Sequence, residues 1–166
     1  MSTTSLPASA IPNSDGVTRV ATPVGFYAEA TGQQTLGHNA TVYLDLNTKD
    51  YNQGDYFDLL GQNRFYAPVS GIYNFTCSVL FGQYNMASGD RFDSGLMKAG
   101  GGSAIFTTLR EFSGGTSIFP CLSWSTNQRL AQNEYVQFYV INRTGTTRYT
   151  YNGTTYTNAS ATYLSP

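Results

Sequence analysis

The sequence predicts an all-β sandwich, and three observations carry that reading. Short segments of period-two alternation recur every eight to twelve residues or so, punctuated by Gly, Asn, Asp and Pro. No window holds an apolar stripe at the 3.6-residue period, and no paired helix start and stop signals occur. The stretch 65–79 joins a strand end, a sharp turn and a long strand. In it Pro68 sets φ and biases Ala67 to extended geometry, and Gly71 tolerates backbone that a side chain resists. Beyond the turn Tyr73, Phe75, Cys77, Val79 and Phe81 share one face, with Asn74, Thr76 and Ser78 on the other.

The elements follow in order. Residues 1–22 are rich in Ser, Thr and Ala, carry Pro7 and Pro12, and show no periodicity. They read as an arm, with too little apolar content to fold alone, ahead of a domain over 23–166. Strands are expected at 24–30 and at 41–46, the latter with Val42, Leu44 and Leu46 on one face. A turn at 50–54 precedes a short strand at 56–60. After the central strand, 91–97 and 104–112 read as strands, the second turned by Gly114 and Gly115 into another at 117–125. The segment 135–141 is apolar on both faces, so one side faces the core and the other needs a second cover. Asn152-Gly153 suits a two-residue hairpin turn that sets Tyr149 opposite Tyr156, and 157–164 closes the chain.

Composition excludes some function classes. The chain has 166 residues, enough for one domain with a real core. Charged residues are 11%, where about 25% is ordinary, and the net charge of -1 gives no electrostatic case for nucleic acid. No apolar run approaches a membrane span. Thr, Asn, Gly, Ser and 13 Tyr take the place of charge, a surface that suits interfaces. The first residues, 1–13, lack a basic region and an apolar core, so no secretion signal is expected. The five Asn-x-Ser/Thr sequons are accordingly read as unglycosylated. Cys77 and Cys121 read as two buried reduced thiols, with a disulfide as the alternative.

Part of the sequence resembles the globular head of complement C1q, in the C1q and tumour-necrosis-factor superfamily. The residues that carry the resemblance are Val42, Tyr43, Leu44 and Asp45; the Asn52, Gln53, Gly54, Asp55, Tyr56, Phe57, Asp58 run; and above all Phe65, Ala67, Pro68, Gly71, Tyr73 and Phe75. Leu130, Val136 and Phe138 continue it, with Asn133-Glu134 where the family has Gly-Asp, and the closing 161–166 lacks the family's Phe and Gly. The resemblance implies a ten-stranded jelly roll and a compact homotrimer. No collagen repeat precedes the domain.

Candidate chemistry is sparse. His38, the only histidine, sits in a Gly-His-Asn turn with no local hydroxyl and carboxylate of a nucleophilic triad. The runs ending at Asp58 and Asp93 echo each other, and Asp55, Asp58, Asp90 and Asp93 could offer calcium oxygen ligands, or cap turns and pair with Arg64 and Arg91. The 100–102 glycine run lacks the Lys of a phosphate loop and reads as a connection. The expected function is non-enzymatic: a trimeric jelly roll displayed on a particle such as a phage or virus virion, as a capsid decoration or a tail or fibre tip. Residues 1–22 would bind capsid or tail proteins. Tyr135, Phe138, Tyr139 and Ile141 would form the trimer contact. The alternative is a receptor- or glycan-binding head on a virion or cell surface, with exposed Tyr and Asn as ligand groups.

Overall fold

The computed structural model describes residues 24–59, 62–98, 102–153 and 155–166, together with the short pieces 11–12 and 18–19. The attachment arm expected over 1–22 lies outside the described residues, except that β1 (Ile11–Pro12) and β2 (Thr18–Arg19) pair antiparallel. No described residue is helical.

The remaining strands are β3 (Gly25–Glu29), β4 (Thr35–Leu36), β5 (Thr41–Tyr43), β6 (Thr48–Gln53), β7 (Phe57–Asp58), β8 (Arg64–Tyr66), β9 (Gly71–Leu80), β10 (Tyr84–Lys98), β11 (Ala104–Ile118), β12 (Cys121–Leu130), β13 (Tyr135–Asn142), β14 (Arg148–Tyr149) and β15 (Asn158–Ser165). They form a six-stranded sheet, β11-β10-β13-β8-β7 with β5 also on β13, and a five-stranded sheet, β12-β9-β15-β3-β6. These two sheets hold eleven strands, one more than the resemblance implies, and β14 with β4 makes a separate two-stranded pair.

Aromatic side chains fill the space between the sheets. Phe26 stacks on Phe57 at 4.0 Å and meets Phe65 and Phe138 at 5.6 and 6.0 Å, while Phe75 reaches Phe138 and Phe65 edge-on. The central strand alternates as its sequence does, with Tyr73, Phe75, Cys77 and Val79 buried and the residues between them half-buried. The Trp124 indole N–H is satisfied inside by the Ser94 hydroxyl at 3.0 Å.

Four expectations change. The second face of 135–141 is closed by the chain itself. Phe138 points into the core, 1% exposed, and Tyr139 is 2% exposed with its hydroxyl on Thr107. Gln137 donates to the Gln62 carbonyl at 2.7 Å, so of the four residues expected to touch a neighbouring copy, only Tyr135 and Ile141 stay half-exposed. The glycines at 114 and 115 do not turn the chain, because β11 runs through them to Ile118. Gly89 (φ 86°) and Ser117 (φ 48°) mark one extra residue on each strand of the β10–β11 ribbon. The pairing slips between Tyr84–Ile118 and Met86–Gly115 and slips back between Ser88–Ser113 and Arg91–Glu111, so the two bulges cancel. The turn expected at 50–54 falls instead at Gly54 and Asp55, both at positive φ, and β6 occupies the residues before it. The Asn152-Gly153 hairpin does not form. Tyr149 pairs with Thr35, Thr150 exchanges hydrogen bonds with Gln34, and Tyr151 N–H donates to Leu80. Distant backbone partners take the groups that a local hairpin would have used.

Candidate interaction surfaces

The five-stranded sheet turns one face to the core and the other outward. Because directly paired residues share a face, the register writes the outward surface in rows. One row is Ser125, Thr76, Ser160, Tyr27 and Tyr51; the next is Asn127, Asn74, Thr162, Gly25 and Gln53. A third runs Ser123, Ser78, Asn158 and Glu29. Among these residues only Glu29 carries a charge, and it accepts the Tyr27 hydroxyl at 2.8 Å. Burial, with Glu29 beside it, pushes the Tyr27 phenol up to about 12, so the phenol stays a neutral donor.

Short side chains bond across this face. Asn74 donates to Ser125 at 3.0 Å and to Asn127 at 2.8 Å, Thr76 and Ser160 hydroxyls meet at 2.7 Å, and Ser78 meets Ser123 at 2.9 Å. The outcome is a mostly uncharged surface, with Glu29 and Arg129 toward its ends, whose short polar groups bond largely to one another. The centre of such a face can be buried with little stripping of water from charges, which is the main cost of covering polar surface. Sequence reasoning placed Asn74, Thr76 and Ser78 on this side. The rows that continue them across the sheet depend on register, which no local pattern reveals.

The aspartates separate into two places. Asp58 lies on β7 and Asp90 and Asp93 on β10, with β8 and β13 between them. Asp93 is buried between Arg143 at 2.6 Å and Arg91 at 2.9 Å. Asp90 accepts the Ala87 N–H at 2.8 Å, with Arg148 at 3.9 Å. Asp55 pairs with Lys49 at 3.5 Å, and Asp58 accepts the Gln62 N–H at 3.2 Å. Of the two alternatives for these aspartates, the calcium site is not assembled: these carboxylates face cations and amides, and among the described residues no group of three or more His, Cys, Asp or Glu is placed to hold a metal ion. His38 accepts the Gly145 N–H at its Nδ1, 3.1 Å away, and its other ring nitrogen meets the Asn39 amide. Cys77 and Cys121 are free thiols, Cys77 buried and Cys121 half-exposed, and burial pushes the Cys77 thiol well above its usual range.

Pro68 opens the bend after β8, and Tyr73 returns its hydroxyl to that bend, on the Val69 carbonyl at 2.6 Å. Phe65 and Phe75 meet in the core at 5.6 Å. No family model matches the sequence, and a search of curated proteins finds no match. Solved structures do match in fold. The Eiger TNF from S. frugiperda superposes with a TM-score of 0.64 at 10% identity, over 86% of this chain and 93% of that one. The globular domain of the zebrafish complement 1qA protein gives 0.63 at 14%, over 86% and 98%. Murine APRIL gives 0.55 at 12%, over 84% and 99%. The chain thus has the C1q/TNF-like jelly-roll fold. Among the described residues, no helix is long and apolar enough to cross a membrane.

Proposed function

We propose that this chain is a non-enzymatic interaction protein that works as a homotrimer, with the outward face of the five-stranded sheet at the contact between copies. The single observation that carries this reading is the outward face built on Thr76 and Ser160, which spans five strands and is uncharged across its centre, with Glu29 and Arg129 toward its ends. The C1q/TNF-like fold supports the three-fold state. The particle-surface setting, a virion decoration or tail tip held by residues 1–22, is supported by the composition of that arm and by the neutral, amide- and hydroxyl-rich surface.

The test places a charge where the face must be dry. Thr76→Arg and Ser160→Arg should each convert a trimer to folded monomers, read by light scattering at micromolar concentration with circular dichroism as the check on folding. A monomeric wild-type mass sinks the reading. Deletion of residues 1–22 should spare the trimer and abolish uptake into the parent particle; full uptake removes the arm's role. A second reading, a receptor- or glycan-binding head, is favoured by the exposed aromatic rings at one end of the sandwich, Phe119 and Tyr156.

A further inference from the structure

We propose that Phe119, Tyr151 and Tyr156 form a binding platform for a neutral saccharide, an inference that rests on the receptor-head reading. The three rings come from two separate loops. Phe119 lies in the turn between β11 and β12, and the tyrosines lie between β14 and β15. They meet edge-to-face, Phe119 to Tyr151 at 5.6 Å and Tyr151 to Tyr156 at 4.9 Å. Tyr151 is fixed by its N–H on the Leu80 carbonyl at 2.7 Å. The outer two stay open: Phe119 is 47% exposed and Tyr156 49%.

Backbone strain lies beside both exposed rings. Thr155, β-branched, has φ 74°, and Ser117 has φ 48°. A β-branched residue at such a φ is a genuine outlier, and strain of this kind persists only where the surroundings impose it and clusters at binding sites. Each is clamped by a side-chain amide. Asn158 donates to the Thr155 carbonyl at 2.9 Å, the Ser117 N–H donates to Asn85 at 2.7 Å, and Gln83 donates to the Ser117 hydroxyl at 2.9 Å. Both exposed rings thus sit beside left-handed backbone that neighbouring amides hold in place.

The chemistry around the rings selects the ligand. Residues 112–128 and 149–166 contain no Asp, Glu, Lys or Arg. Gln83 and Asn85, which bond Ser117 two residues from Phe119, are neutral amides, and the tyrosines add their phenol tips. Apolar faces with a few neutral donors and acceptors match the C–H faces and hydroxyls of an uncharged sugar. A protein partner would need roughly 800 Å² from each side, far beyond three rings.

The full-length chain is tested on an array of neutral and acidic oligosaccharides, and hits are measured by calorimetry with Phe119→Ala, Tyr156→Ala and Tyr156→Phe. Neutral saccharides should bind. Each alanine variant should lose affinity about ten-fold or more at unchanged melting temperature, while Tyr156→Phe keeps binding. Saccharide binding that survives both alanine substitutions overturns the platform and leaves the receptor-head reading standing. Binding of acidic saccharides alone moves recognition to a cation such as Arg110, which reaches the nearby Cys121 carbonyl at 3.2 Å, and overturns the neutral-ligand proposal. No binding to any saccharide overturns the platform and the glycan form of that reading together.

Discussion

The Tyr73 hydroxyl donates to the carbonyl of Val69, four residues back, at 2.6 Å, and its oxygen accepts from the Val69 N–H at 3.4 Å. The residue that heads the core face of β9 thereby closes the bend that delivers β9 to the core. The ring also packs edge-on against Phe65 at 5.4 Å and Tyr163 at 5.3 Å. One side chain ties together turn, core and the last strand.

Tyr73→Phe keeps that packing and removes the hydrogen bond, so it should cost about 1 kcal/mol in urea unfolding at neutral pH. Tyr73→Ala and Phe75→Ala should cost about 3–5 kcal/mol, because large aromatics leave cavities. Asn74→Ala, on the outward face, should cost about 0.5–1 kcal/mol. Equal losses at all three positions would contradict the one-sided burial of β9.

The Tyr73 phenol also sets an alkaline limit. Burial pushes it up to about 12, above the value of 10.0 for a free phenol. Below the free value both folded and unfolded chains hold the proton, and Tyr73 contributes no pH dependence. Between about 10 and about 12 the unfolded chain releases it first, so stability falls as pH rises, by up to about 1.4 kcal/mol per pH unit. The gap between wild type and Tyr73→Phe should therefore narrow through this window. A gap that stays constant to about pH 12 would show that the phenol ionises alike in both states.

Glycine substitutions should separate space from backbone. Gly71 is not at positive φ; a Cβ there would stand 2.5 Å from the Ser165 carbonyl oxygen and 2.6 Å from the Tyr163 ring. Gly71→Ala should cost about 1–3 kcal/mol by overpacking. Gly89→Ala meets open space yet sits at φ 86°, and should cost about 1 kcal/mol through backbone strain. Gly115→Ala meets nothing within 4 Å at ordinary φ and should change stability by less than about 0.5 kcal/mol. Thermal unfolding of the three variants side by side tests the order, and a loss at Gly115 matching that at Gly71 would refute it.

Asp93 should be worth more than either arginine that meets it. Its side chain is 6% exposed against 33% and 37% for Arg91 and Arg143, so removing its charge leaves two guanidiniums facing one another without their shared acceptor. Asp93→Asn should cost about 1–3 kcal/mol, and Arg143→Ala about 1 kcal/mol or less because that side chain reaches solvent. The double variant should lose less than the sum, since the two changes delete one contact. Additive losses by urea unfolding would show that the pair acts through separate partners.

What the sequence by itself determined is the class of fold and the orientation of its central strand. Period-two alternation reports which side of a strand is apolar, and that is a local property. Tyr73, Phe75, Cys77 and Val79 could be assigned to the core from their order alone. The bend between Pro68 and Gly71 was legible for the same reason. The tertiary structure decided which strand meets which. Gly89 carries the positive φ that suits a turn or a bulge equally, and only the continuous β10–β11 pairing made it a bulge. Asn152-Gly153 could have closed a hairpin, but Leu80 and Gln34 captured the backbone around it. The candidate surfaces lie on this second side. The neutral rows through Thr76 and Ser160 arise from register across five strands, and the meeting of Phe119 with Tyr156 through Tyr151 arises from two loops brought to one end of the sandwich. Hydrogen-bond partners far apart in sequence are chosen by competition over the whole fold, so no local pattern can announce them.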